Sequence, residues 1–258
     1  MDEAVVVEER HGSVLVLRLN RPEARNALNQ AMIRAVGAAI TAAEADPEVR
    51  VLVVTGTGDR AFCAGMDLRD FAAGGGPEPD DEAASGAFMR LMRGAVTLPV
   101  IAAVNAPAVA GGFEIVLGCD LVVASTTARF GLPEVKRALF AGGDGILLGT
   151  RIPLPVALEI TLTGDLFDAE RALALGLVNR VVAPDEVLPT ALALAERIAA
   201  NGPLGIAATK ELVRLAVADV EAAHARQREW YPVVFQSEDA REGATAFVEK
   251  RDPVWRGR

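Results

Sequence analysis

Cysteine is nearly missing from this chain, and the two that occur, Cys63 and Cys119, do not make a disulfide framework. Both have small or apolar neighbours, which predicts buried, reduced thiols. Aromatic residues are sparse at 5%, so aliphatic side chains and alanine must fill the core. Lysine is confined to Lys136, Lys210 and Lys250, and the other cations are arginines, a pattern of genome composition rather than of function. No Lys/Arg-rich run occurs and the formal net charge is −9, so nucleic-acid binding lacks its electrostatic footprint. An acidic chain can still hold an anionic ligand, because local charges matter more than the total. Long apolar runs are absent too: Val100 to Ala110 is broken by Asn105 and Pro107, which excludes a membrane span there. No His/Cys ligand cluster appears, so no metal is expected. Met1-Asp-Glu-Ala4 has neither a basic n-region nor an apolar h-region, so a cytoplasmic protein is expected.

What is present suits a globular α/β chain. The 258 residues, 51% hydrophobic, are enough for one large domain or a domain with a small appendage. Val5 to Glu9 and Val14 to Asn20, around His11-Gly-Ser13, predict a β-hairpin. A helical pattern runs from Asn29 to Glu44, with Met32, Val36, Ala39, Ile40 and Ala43 on one face and Asp46-Pro47 as its stop. Val51 to Thr55 and Pro99 to Val104 are wholly apolar, as strands buried on both faces must be. Gly, Pro, Asp and Glu dominate Asp70 to Ser85, which predicts a surface loop before a helix over 83–97. Pro107 to Gly112 should turn the chain into a helix reaching Leu117. Leu121 to Ala124 predicts a strand, and Ala128 to Phe130 a further one. Strands alternating with helices argue an α/β fold with a mostly parallel sheet. Asp185 to Ala200 and Leu204 to Arg226 predict helices, and the charged tail from Glu238 completes a helical appendage.

Three segments offer chemistry. In Ala61-Phe-Cys-Ala-Gly-Met-Asp-Leu68, small residues let a ligand approach the backbone, or simply pack a tight loop. In Asn105-Ala-Pro-Ala-Val-Ala-Gly-Gly-Phe-Glu114, a helix begins near Gly112. Its free N–H groups and positive dipole end suit a developing oxyanion. Glu114 in the first turn fits catalysis and equally fits the ordinary preference for acidic residues there. In Phe130-Gly-Leu-Pro-Glu134, a glutamate follows a proline on a loop. Gly142-Gly-Asp-Gly145 comes soon after, without the preceding strand and spacing of a nucleotide-binding loop.

Taken together and in order, these segments resemble the crotonase superfamily, the enoyl-CoA hydratase/isomerase family. The resemblance begins at Asn20-Arg-Pro-Glu-Ala-Arg-Asn-Ala-Leu28 and continues through Ala61–Leu68, Ala103–Asp120 and Phe130–Glu134. It runs on through Thr163-Gly164 and Ala174–Val182 to Ser237–Gly243 and Ala246–Arg251. It implies a crotonase-like spiral of ββα repeats over residues 1–200. Residues 201–258 are expected to form a helical region used for oligomerisation and site completion. The resemblance further implies a homotrimer or a dimer of trimers, and an acyl-CoA thioester substrate. No separate cofactor is implied, since CoA is part of the substrate. Carried over by motif, the backbone N–H groups of Met66 and Gly111 form an oxyanion hole, and Glu114 and Glu134 are the catalytic pair. Ala24, Arg25, Ala64, Gly65, Asp67 and Leu68 are expected along the CoA path. Phe247 and Lys250 match C-terminal positions that reach CoA, sometimes from a neighbouring subunit.

Hydratases of the family that this chain resembles carry two glutamates at these positions, so the resemblance implies hydration of a 2-enoyl-CoA to a 3-hydroxyacyl-CoA. Two carboxyl groups with different pKa values can hold a water and divide the acid and base roles. The alternatives are a carnitinyl-CoA dehydratase-like lyase, a Δ3-Δ2-enoyl-CoA isomerase and a non-catalytic acyl-CoA-binding protein. A dehalogenase fits less well, because His11 and His224 fall outside the three segments. One departure from the family pattern is Asp144, which stands where a glycine is usual.

Overall fold

The computed structural model describes residues 4–72 and 82–258. Of the Asp70–Ser85 stretch, expected as a surface loop, residues 73–81 lie outside the described residues, and helices over Leu68–Ala72 and Glu82–Met92 take its two ends. Chain order begins β1 (Val6–His11), β2 (Val14–Leu19), α1 (Gln30–Ala45), β3 (Val51–Gly56), α2 (Leu68–Ala72) and α3 (Glu82–Met92). It continues β4 (Val100–Val104), β5 (Ala108–Val109), α4 (Gly111–Gly118), β6 (Leu121–Ser125), β7 (Arg129–Gly131), α5 (Leu148–Arg151) and α6 (Leu154–Thr163). The last elements are β8 (Phe167–Asp168), α7 (Ala169–Ala174), β9 (Arg180–Val182), α8 (Val187–Ala199), α9 (Pro203–Ala218), α10 (Val220–Phe235) and α11 (Glu238–Glu249).

The main sheet has the order β1-β2-β3-β4-β6-β9. Only the β1–β2 hairpin is antiparallel; β2, β3, β4, β6 and β9 run parallel to their neighbours. Successive strand residues point to opposite faces, and that alternation builds two cores. Val14, Val16, Val51, Val53, Ile101, Ala103 and Val123 pack against Val187, Ala191 and Ala195 of α8. On the other face Leu15, Leu17, Leu52, Val54, Ala102 and Val104 pack with residues of α1, α3 and α4. Cys63 and Cys119 are free and buried, and burial pushes both thiols up to about 12.

The expected helix over 83–97 ends early, at Met92, where the chain turns through Gly94 with φ +68. The expected helix over 204–226 is two helices. Asp219 leaves the helical region, and its carboxylate accepts the Ala222 N–H at 2.9 Å, so it caps α10 instead of continuing α9. A second small sheet, β5-β7-β8, was not expected; its strands of two or three residues are too short to show a period. No helix among the described residues is long and apolar enough to cross a membrane.

Two polar anchors fix the parts of the chain that carry the site. Asp120 lies two residues past the end of α4 and accepts from Lys210 at 2.7 Å, Arg214 at 2.7 Å and the Val100 N–H at 2.8 Å. Arg214 also donates to the Gly118 carbonyl at 3.0 Å, so α9 is fastened to the end of α4. The second anchor is Asn26, fully buried at φ +53, a region that asparagine tolerates better than most residues. Its amide nitrogen donates to the carbonyls of Thr57 and Ala61, and its oxygen accepts the Arg21 N–H. Asn26→Ala strands those three backbone groups. It should lower unfolding free energy by about 1–3 kcal/mol, read as a lower urea midpoint at unchanged slope.

Candidate active site

The first two chemical segments meet edge to edge through a parallel bridge between Cys63 and Ala108. Leu28 forms a parallel bridge with Met66, donating its N–H to the Gly65 carbonyl and accepting from the Asp67 N–H, each at 2.8 Å. In that pattern the N–H of Met66 itself points away from Leu28. Gly65 allows the turn with φ +86 and no side chain; a Cβ there would lie 2.6 Å from the Ala110 Cβ and 3.1 Å from the Gly111 nitrogen. So the peptide after Gly65 abuts the start of α4.

Ala110 caps that start in an unusual conformation, φ +52 and ψ −130. It is held there because its N–H donates to the Gly131 carbonyl while its own carbonyl accepts from Phe113 and Glu114. A strained backbone retained at a helix start marks a place where the surroundings enforce a peptide orientation. The Gly111 N–H belongs to the first turn, whose donors have no intrahelical partner. Neither it nor the Met66 N–H has a hydrogen-bond acceptor among the described residues.

Glu114, only 4% exposed, lies one turn further along α4. Its Oε1 accepts three N–H groups in a row, from Gly143, Asp144 and Gly145, at 2.9, 2.9 and 2.8 Å. Those donors fix the carboxylate plane and leave Oε2 on the side of Gly111, 3.8 Å from where a Gly111 Cβ would stand. Glu134 sits in the short 3-10 turn Pro133–Arg137. Burial, reinforced by the negative charge of Glu114, raises its pKa above the ordinary glutamate range; its own N–H and Arg137 pull the other way. Glu134 Oε2 is buried without a hydrogen-bond partner among the described residues. A cluster of Phe113, Phe130 and Phe167, with ring centroids 5.5–5.9 Å apart, forms the apolar backing.

A family model described as "Enoyl-CoA hydratase/isomerase" matches residues 9–258. The chain belongs to that family. It is 42% identical over 256 residues to a carnitinyl-CoA dehydratase of Salmonella enteritidis PT4, covering 96% of this chain and 97% of that one. The crystal structure of an enoyl-CoA hydratase from Mycobacterium tuberculosis H37Rv superposes with a TM-score of 0.91 at 43% identity, covering 99% of this chain and all of that one. A carnitinyl-CoA hydratase from Mycobacterium avium superposes with a TM-score of 0.77 at 42% identity, again covering 99% and 100%.

In this hydratase/isomerase family member the other expected residues divide into two groups. Ala24, Arg25, Ala64, Gly65, Asp67 and Leu68 gather on one rim, joined by the Ala64 N–H donating to the Arg25 carbonyl at 3.1 Å. Arg25 and Leu68 are exposed, as is Met66 at 38%. Asp67, by contrast, is committed to the scaffold through its pair with Arg21 at 3.1 Å. Burial works against its charge, but Arg21 and the amides of Arg69 and Asp70 outweigh that and hold its carboxyl below the usual range. Phe247 and Lys250 end α11, with the Phe247 ring 85% exposed and Lys250 at φ +56. No hydrogen bond or ion pair among the described residues ties them to the four central groups of this subunit.

Sequence reasoning missed the anchor of Glu114. The Gly142–Gly145 turn, rejected as a phosphate loop, is a cradle for a carboxylate 29 to 31 residues earlier. Its glycine density was the available signal: a Cβ on Gly143 would lie 2.2 Å from the Met92 tip and 2.6 Å from Glu114 Oε2. Asp144, the departure from the family pattern, pairs with Arg93 at 3.2 Å. Glu114→Ala leaves three N–H groups unmatched and should lower unfolding free energy by roughly 2–4 kcal/mol at about 1 kcal/mol per lost bond. Glu114→Gln keeps an acceptor oxygen and should stay within ~1 kcal/mol of the parent. Urea melts of the two variants side by side measure the difference.

Proposed function

We propose that this chain is an enoyl-CoA hydratase that adds water reversibly to a 2-enoyl-CoA thioester, giving the 3-hydroxyacyl-CoA. The observation that carries the reading is the convergence of the Gly65–Met66 turn on the start of α4, with Glu114 clamped one turn beyond. The two outward N–H groups, of Met66 and Gly111, receive the thioester oxygen as it gains enolate charge, a role worth on the order of 10²–10³ in rate per donor. Glu114 Oε2 holds the water and takes its proton as the hydroxide portion bonds to Cβ. Glu134, whose raised pKa keeps a proton on it to higher pH, delivers that proton to Cα. A proton returning from Glu114 to Glu134 resets the pair for the next turnover.

Around this centre, Ala24, Arg25, Ala64, Gly65 and Leu68 line the CoA path, with Asp67 shaping it through Arg21. Phe247 and Lys250 reach CoA from a neighbouring copy in a trimer or dimer of trimers of a cytoplasmic enzyme. Support for that assembly is the apolar surface this subunit leaves bare, including Leu154, Leu158 and Leu162 along one face of α6. A second reading, dehydration of a carnitinyl-CoA-like thioester, is the same step run backwards on a substituted acyl chain. The 42% identity to a carnitinyl-CoA dehydratase favours keeping it in the assay panel.

Crotonyl-CoA and longer 2-enoyl-CoAs, followed by loss of the conjugated absorbance, should be turned over. Glu114→Gln and Glu134→Gln should each bind acyl-CoA while kcat drops by about 10²–10⁴; parental turnover in both would overturn the assignment, and binding without conversion by the parent would make this an acyl-CoA-binding protein. The raised pKa of Glu134 fixes the sign of the pH dependence. Hydration needs Glu134 protonated, so its kcat should fall as pH rises through that pKa. Dehydration runs through the same singly protonated pair, with the proton on Glu114, and should fall over the same interval. Limbs of opposite sign in the two directions, or persistence of the limb in Glu134→Gln, would refute the acid role.

A further inference from the structure

The turn that clamps Glu114 runs through 141–144 into the 3-10 turn Gly145–Leu147, whose Leu147 N–H donates to the Asp144 carbonyl at 2.9 Å. Two consecutive residues at the end of α3 hold it from the other side. The Met92 tip fills the space where a Gly143 side chain would go, and Arg93 Nε donates to Asp144 Oδ2 at 3.2 Å. Asp144 therefore acts at two points: its N–H donates to Glu114 Oε1 at 2.9 Å, and its carboxylate tethers the same residue to α3. The Asp144 side chain is 16% exposed and this is its one ion pair among the described residues. A largely buried carboxylate that loses its partner turns toward water, and here it takes a donor of Glu114 with it.

The far end of the tether is firm. Glu44 of α1 accepts both terminal nitrogens of Arg90, at 3.0 and 2.6 Å, and also the N–H and hydroxyl of Thr97, each at 2.8 Å. The end of α3 is thus braced against α1 on the two sides of Arg93.

We propose that Arg93 and Asp144 are positioning residues, a tether that holds the 143–145 turn in register with Glu114 and so aims its free oxygen at the reacting water. The proposal rests on the hydration reading above. Small misplacements of a catalytic group cost rate out of proportion to their size. Arg93 is 64% exposed, however, and exposed pairs are individually weak, so the effect is bounded.

The test compares Arg93→Gln, Arg93→Lys and Asp144→Asn with the parent. Initial rates are taken on crotonyl-CoA, and amide hydrogen exchange over 143–145 is followed by mass spectrometry. Arg93→Gln should lose about fivefold in kcat, the equivalent of ~1 kcal/mol, with KM within about twofold and faster exchange across the turn. Asp144→Asn should match it, and Arg93→Lys should recover part of both signals. Parental kcat in Arg93→Gln, a change in KM instead of kcat, or unaltered exchange at 143–145 would overturn the tether. A parent enzyme that hydrates no enoyl-CoA would instead bring down the hydration reading, while the exchange data still judge whether Arg93 holds the turn.

Discussion

One carboxylate oxygen accepting three consecutive backbone N–H groups is the contact on which the rest of the site depends. Glu114 is buried, and a buried acidic side chain must find donors or pay heavily in lost hydration. The 143–145 turn supplies them all on Oε1, which removes the rotational freedom of the carboxylate. The opposite oxygen is left facing the start of α4, where the Gly111 N–H emerges. Fixing one atom in this way converts a helix-start glutamate into a directed group. The same contact explains why the 143–145 turn needs two glycines: side chains there would strike Met92, Ala141 or Glu114 itself.

The two carboxyl groups differ because their surroundings differ. Glu114 has a full set of donors on one oxygen. Glu134 has a buried, unmatched Oε2 and the neighbouring charge of Glu114, both of which favour its neutral form. Burial and a neighbouring negative charge are enough to raise one carboxyl of a close pair. The family membership sets the class of chemistry, and these asymmetries support the roles proposed for the two carboxyls within it.

Much of the fold was legible in the sequence because its core strands are buried on both faces. Val51–Gly56 and Val100–Val104 contain nothing a solvent-facing position would demand, and the helix from Gln30 shows its apolar stripe directly. The break at Asp219 was illegible, since an aspartate on a helix surface and one capping the next helix look alike until the backbone angles are known. The pairing of β5, β7 and β8 joins runs too short to carry a period. At the site, the glutamates and the small-residue turns were visible as motifs. The cradle was not, because a glycine-rich turn does not announce which distant side chain it will accept. Nor does a sequence show that Asp67 and Asp144 are already spoken for by Arg21 and Arg93.

Asp120 has a mechanical side. It joins the C-terminal end of α4 to Lys210 and Arg214 of α9, and Arg214 reaches back to the last carbonyl of α4. The helix bearing Glu114 and the first helix of the C-terminal group are therefore pinned to each other. Whatever docks on α9 sits two ion pairs and one hydrogen bond away from the base of α4.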